Sequence, residues 1–576
     1  MTVTTVSTFE YEDQLPRVPL PTLEESCARF LEWCAPLLTE SQLAETETAV
    51  EELLTSDTAR ALQAELVRYD ETPGVRSYLD TFWPSRYLGR RDRIALNANF
   101  FFLFKDSELG QVERAAELVA SALAYKAALD TESIPPVVLR GQPQSMDQHR
   151  YLFSTTRIPG AEQDTVRAAA DAKHIVVFHS GQLFRLDVIG AQGQAHTLAE
   201  ITEGLRAVVA ADGAEDAPVG HLTTKARAEW AASRARLIEL GNVEALDVVE
   251  SALFCVSLEA GTPADALAAC DALLHGDSAN RWFDKAVSLI VFADGQAGIN
   301  VEHCLLDGTT ILALCDALLE SPATEGGVAQ GVPVPTPVRF VLDDALREDV
   351  LSAGKAFADY GAATATTLLS FTDIGTSRIK QLGISPDAFV QAAYQLAHRR
   401  SKGLTGATYE SIATRQYQNG RTEAMRVVTP EMVRYVEAMA DADADVEAKR
   451  AALREAAAKH VARAKECQAG QAPEQHLWEL QLIQKRAGGT EPLALYESPG
   501  WQIMREDYLS TSSAPSHNIQ YFGFGSTSSK CIGVAYVLLP DRLNVYLSTP
   551  RTVAEQMNAF AEALKDALRE QVELLT

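Results

Sequence analysis

Two apolar runs split by a short polar turn, a plan that occurs twice, constrain this chain more than any other feature. In HIVVFHSGQLFRLDVIG, His174–Gly190, the runs flank His179-Ser180-Gly181, which is a hairpin signal. AVSLIVFADGQAGINVEH, Ala286–His303, repeats the plan around Asp294-Gly295. Helical periodicity surrounds these hairpins. Val112, Ala115, Ala116, Val119 and Leu123 recur at near-helical spacing and predict a helix over Gly110–Leu129. Helical patterns also cover Leu23–Val67, with a break near Ser56-Asp57, then Ser385–His398 and Thr552–Leu574. Pro430–Gln468 reads as one long helix whose charges form mostly a solvated face. Late strands are predicted at Tyr521–Phe524, Cys531–Leu538 and Leu543–Ser548, and Thr324–Pro337 as a surface connection. Hairpins mixed with helices predict an α/β fold with mixed rather than purely parallel sheets. The 576 residues exceed what one hydrophobic core supports, roughly 250–300 residues, so two domains are expected.

Charge narrows the partners. A formal net charge of −27 repels phosphate backbones and anionic lipid surfaces, so neither nucleic acid nor a membrane surface is an expected partner. No apolar run approaches the ~20 residues of a membrane helix. Met1–Leu15 carries acids and no apolar core, and the eight cysteines include no Cys-x-x-Cys pair. These features predict a cytoplasmic protein, without membrane insertion, whose thiols are buried or inert.

Three stretches carry chemistry. In VEHCLLDGTT, Val301–Thr310, His303 leaves a strand and Asp307-Gly308 follows. A histidine held at a strand end can face a cleft, and imidazole titrates where it can take a proton from a hydroxyl or thiol. Asp307 is near enough to orient the ring or its loop. The plain alternative is a strand-end histidine bonded to backbone. A metal set of Glu302, His303 and Asp307 lacks a second histidine or a cysteine pair. YLSTSSAP, Tyr508–Pro515, clusters hydroxyls able to donate to a developing oxyanion, or else forms a Ser/Thr-rich turn. TYESIATRQYQNGRTEAMR, Thr408–Arg426, mixes aromatics, hydroxyls, acids and arginines suited to gripping a polar ligand, or else is a surface strand and turn.

These three elements, in this order, resemble the choline/carnitine acyltransferases. The likeness runs from LPRVPLP at Leu15–Pro21 to the final helix and includes WPSRYLGRRDRIALN, MDQHRYLFSTTRIPG, NRWFDK and SPDAF. It implies two chloramphenicol-acetyltransferase-like α/β domains, one from residues 1–90 with 345–576 and a histidine-bearing one from 91–344, with an active-site tunnel between them. It implies acyl-CoA as co-substrate with no tightly bound cofactor, a small alcohol as acceptor, and a monomer. His303 matches the catalytic histidine and Asp307 its acidic support. Ser512 matches the serine that donates to the oxyanion, with Ser510 in the same motif.

For CoA the resemblance implies Asp387, Glu410 and Ser411, and a pair of lysines for the 3′-phosphate. Lys380 matches one of these; Thr376 stands at the other, and Arg378 lies between them. For the acceptor it implies Tyr87, Tyr409, Thr422 and an arginine, at whose position stands Gln475. That replacement removes the strongest counter-charge for a carboxylate, which leaves carnitine, choline or a non-carboxylate alcohol as acceptors. Gln520, Tyr521 and Phe522 before Gly523 supply bulk that predicts a short acyl group. Peptide-forming condensation domains, of related fold, carry a second histidine where Glu302 stands here.

Overall fold

The computed structural model describes residues 6–211, 217–320, 322–323, 326–403 and 406–576. Each predicted hairpin forms. His174–His179 pairs antiparallel with Gln182–Asp187, and Val287–Val291 with Ala297–Val301. They belong to one eight-stranded mixed sheet in the order Thr336–Pro337, Gln182–Asp187, His174–His179, Cys255–Leu258, Val287–Val291, Ala297–Val301, Phe100–Phe104, Ile519–Phe524. Cys255–Leu258 is parallel to both of its neighbours, and such a pairing needs a crossover, here helical. A second mixed sheet has six strands, in the order Thr364–Phe371, Leu543–Pro550, Ile532–Leu538, Leu509–Ser513, Thr408–Ala413, Thr422–Arg426. Helices flank both sheets, so the architecture is α/β with two mixed sheets.

The helix predicted over Gly110–Leu129 spans Gln111–Asp130, and the N-terminal helical region breaks at Ser56, which caps Asp57–Asp70 by accepting from the Ala59 amide. The single long helix expected over Pro430–Gln468 is instead two, Pro430–Ala440 and Val446–Gln468. The reason lies in the aspartates between them. The Asp441 carboxylate accepts from the Asp443 amide, and that of Asp445 from the Ala448 amide, so side chains replace the helical ladder. Nor is this charge wholly solvated: His460 and Arg463 are buried, and Arg463 lies over the Trp33 ring. Thr336–Pro337, at the end of the predicted surface connection, pairs as an edge strand with Phe184–Arg185; Thr324 lies outside the described residues.

Phe100–Phe104 shows how the two sheets meet. All five residues, FFFLF, are buried between Ala297–Val301 on one side and Ile519–Phe524 on the other. The latter strand comes from the C-terminal part of the chain, yet it completes the sheet that leads to His303. Gly523 makes this approach possible. A Cβ there would sit 2.3 Å from the Phe101 ring and 2.6 Å from Tyr546 of the other sheet. One hydrophobic cluster surrounds the eight-stranded sheet and takes in Ala535, Val537 and Tyr546 of the six-stranded one, a second packs the rest of the six-stranded sheet against its helices, and the N-terminal helices pack with Glu474–Arg486 and Pro499–Arg505 in a third. All eight cysteines are free and buried. Among the described residues no helix is long and apolar enough to cross a membrane.

Candidate active site

His303 lies just beyond the strand Ala297–Val301, in the short loop before the helix Gly308–Glu320. Buried charge holds that loop. Glu302 accepts from Arg157 at 3.0 Å and from the Cys304 amide at 3.2 Å. Arg157 also pairs with Asp164 at 2.6 Å, and Arg227 bridges Asp164 to Asp284. Each of these ions is enclosed, so each needs its partner to offset desolvation.

The imidazole is oriented from both ends. Nδ1 lies 2.6 Å from the Leu306 carbonyl, which can only accept, so Nδ1 carries the proton. Nε2 therefore presents its lone pair, 3.3 Å from the Tyr87 hydroxyl. Phe100 meets the ring edge-on at 5.0 Å, and Tyr87 flanks it at 5.1 Å. Asp307 comes within 3.7 Å of Nδ1, too far for a direct hydrogen bond. It acts instead through charge and through the loop. The backbone alternative and the cleft-facing reading thus hold together, one on each nitrogen.

Asp307 is locked by two residues distant in sequence. Arg421 donates from Nη2 at 2.7 Å and from Nε at 3.1 Å, and also caps the His303 carbonyl at 3.0 Å. Gln148 donates to Asp307 at 2.6 Å and accepts from its amide at 2.8 Å. Burial opposes the charged carboxylate, yet Arg421 holds its pKa down at about 2. Burial lowers the His303 pKa below its ordinary value, and Arg421 adds to that while Asp307 pulls the other way. The ring is thus kept neutral, in the form that accepts a proton, and 29% of the side chain remains exposed to a cleft of about 200 Å³.

The opposite wall of this cleft comes from the second sheet. Leu509–Ser513 forms a strand rather than a Ser/Thr-rich turn, with Ser510 opposite Tyr409 and Thr511 opposite Glu410. Tyr409, Ser411, Thr422 and the run Ser510–Ser513 line the cleft with His303, and the Thr511 hydroxyl donates to the Tyr409 carbonyl at 2.8 Å. Glu410 turns the other way, to a group in which the Tyr536 hydroxyl lies 2.8 Å from the half-exposed Asp387 and 3.1 Å from Glu410, and the buried His460 lies 2.9 Å from Asp387. Burial and the neighbouring Asp387 push the Glu410 pKa well up. Of the segment from Thr408 to Arg426, Tyr409, Ser411 and Thr422 reach the cleft. Arg421 and Arg426 are used for internal ion pairs.

The remaining sequence-derived residues lie away from the cleft walls. Thr376, Arg378 and Lys380 sit on the short helix Thr376–Gln381, where Arg378 and Lys380 are exposed and Arg378 donates to the Asp373 carbonyl at 3.2 Å. Gln475 is buried and donates to the Thr422 carbonyl at 2.8 Å. Sequence reasoning overlooked Arg421, Gln148 and Arg86 as site residues. Gln148 lay within a matching stretch, and a signal for the two arginines existed only as charged residues inside stretches already singled out. Phe522 lines the cleft and packs edge-on against Phe100 at 6.2 Å and Phe102 at 5.4 Å. Gln520 instead donates to the Phe104 carbonyl at 2.7 Å.

The chain is 30% identical to mouse carnitine O-palmitoyltransferase 2, mitochondrial, over 97% of this chain and 92% of that protein. It is 29% identical to rat carnitine O-acetyltransferase, over 98% of this chain and 94% of that protein. The choline/carnitine O-acyltransferase family model matches residues 18–566. The chain is therefore an acyltransferase and belongs to the choline/carnitine O-acyltransferase family.

Proposed function

We propose that this enzyme moves a short acyl group between CoA and the hydroxyl of carnitine, choline or a similar small alcohol, with His303 as general base. The observation that carries the reading is the division of labour on one imidazole. Nδ1 is committed to the Leu306 carbonyl, while Nε2 opens onto a cleft that also holds the Ser510 and Ser512 hydroxyls. In the forward direction Nε2 removes the alcohol proton as the oxygen attacks the thioester carbon. The tetrahedral oxyanion receives hydrogen bonds from Ser510 and Ser512. Collapse expels the CoA sulfur, and the imidazolium returns its proton to it. Asp307, charged at neutral pH, stabilises that imidazolium from 3.7 Å. Both reactants meet one base, so no acyl-enzyme is required.

Tyr409 and Thr422 belong to the acceptor end of this reading, with Tyr87 between that end and the base. The CoA end takes Ser411, Asp387 and Glu410, with Lys380 and Arg378 for the cofactor's phosphates. Phe522, wedged against Phe100 and Phe102, supports a short acyl chain, since a longer tail would overlap those rings. The test is release of CoA thiol from acetyl-, octanoyl- and palmitoyl-CoA with each alcohol, by the wild type and by His303→Ala. Acetyl-CoA should serve best, and the variant should remain folded and lose turnover. Full turnover without His303 would falsify the base assignment, and a preference for palmitoyl-CoA would overturn the chain-length reading.

A further inference from the structure

The charges around the cleft do not balance. Four ionisable groups on its walls bear on that balance: Arg86, Arg90, His303 and Asp307. Arg90 is held by Asp92 at 2.6 and 2.9 Å, and Asp307 by Arg421. His303 is kept neutral. Arg86 makes no hydrogen bond or ion pair among the described residues. Its guanidinium is stationed by aromatic faces alone, 4.9 Å from the Trp478 ring centre and 5.8 Å from that of Tyr87.

The surroundings give Arg86 no spare carboxylate. Glu474 and Asp507 are both taken by Arg426, at 2.6 and 2.5 Å, and Glu474 also by Arg505 at 3.1 Å. Three guanidiniums thus face two carboxylates, and Arg86 is the one of the three on the cleft wall. The polar groups nearby are hydroxyls. Burial pushes the Tyr409 phenol up to about 12, so it stays a hydrogen-bond donor, and Arg86 is among the charges acting on it. Thr422 and Ser411 line the same wall, while the Gln475 amide is spent on the Thr422 carbonyl. A surplus cation among hydroxyl donors is the pattern that receives an anion.

We propose that Arg86 is a specificity-determining residue that binds an anionic group, a carboxylate, on the acyl acceptor. Arg86 and Tyr87 are successive residues of the helix Phe82–Tyr87, so their side chains diverge by ~100°. The first anchors the carboxylate, and the second stands 3.3 Å from His303 Nε2, where the acceptor hydroxyl arrives. This inference rests on the acyl-transfer reading but is tested apart from it.

The experiment is equilibrium titration of the full chain with carnitine and with choline, which lacks the carboxylate. Wild type, Arg86→Met, Arg86→Lys and the double variant Arg86→Met/Gln475→Arg are compared, with thermal melting as the check on folding. Arg86→Met should weaken carnitine ~10–100-fold, the scale of a lost charge-assisted hydrogen bond, and leave choline within about twofold. Arg86→Lys should recover part of the carnitine affinity, and so should the double variant, whose new guanidinium enters from the Thr422 side. Equal effects on both ligands, no effect on either, or failure of the wild type to bind carnitine overturns the assignment. Arg86-dependent carnitine binding without CoA thiol release would sink the acyl-transfer reading and leave this one standing. Turnover indifferent to Arg86 would do the reverse.

Discussion

The two walls of the cleft are built on opposite plans. The His303 wall is rigid by charge: Glu302, Asp307, Arg157, Arg421 and Asp164 form enclosed ion pairs on either side of the loop. The Ser510 wall is rigid by backbone. Its strand is held by parallel ladders to Thr408–Ala413 and Ile532–Leu538, and the hydroxyls of Ser510 and Ser512 have no partner among the described residues. A base must keep one tautomer through the reaction, so its ring is fixed at Nδ1. An oxyanion donor must be free until charge develops, so its hydroxyl is left uncommitted.

Breaking the charged wall should cost most. His303→Ala is expected to lower turnover by ~10³–10⁴-fold, at the upper range for a positioned general base, with melting little changed. Arg421→Met should instead destabilise the protein by about 3–5 kcal/mol, because Asp307 is left charged and enclosed. Chemical denaturation measures it, and adding Asp307→Asn should restore part of the loss. An unaltered melting curve for Arg421→Met would mean that this wall is not held by charge. Ser512→Ala should lower kcat by ~10²-fold with stability within about 0.5 kcal/mol, as a free donor on a laddered strand predicts. A large stability loss there would erase the contrast between the walls.

The smallest effect is on pH. Burial lowers the His303 pKa, so the acid limb of kcat/KM should lie below pH 6.5, the ordinary histidine value, and activity falls as pH drops through it. Asp307 raises that pKa, so Asp307→Asn should move the limb further down; Arg421 lowers it, so Arg421→Met should move it up. Limbs moving the same way would show that the ring does not sense these two charges.

Local pattern made much of this legible in advance. The apolar runs at His174–Gly190 and Ala286–His303 carry their turn residues between them, so each hairpin is encoded within about twenty positions. His303, Asp307, Ser510 and Ser512 stand in short motifs whose order marked the family, and the cleft does bring them together. The break at Asp441–Asp445 was hidden because a charged, alanine-rich run reads as continuous helix until aspartate side chains are seen to cap it.

Tertiary structure alone decided who serves these residues. Arg421 reaches Asp307 across 114 positions and Gln148 across 159, separations no local periodicity reports. It also decided that Arg426 is consumed by Glu474 and Asp507 while Arg86 is not, and that Ile519–Phe524 closes the sheet leading to His303. The physical reason is that hydrophobic period and turn chemistry act between near neighbours. Pairing of enclosed charges is a property of the space left when distant elements pack, and it exists only once they have done so.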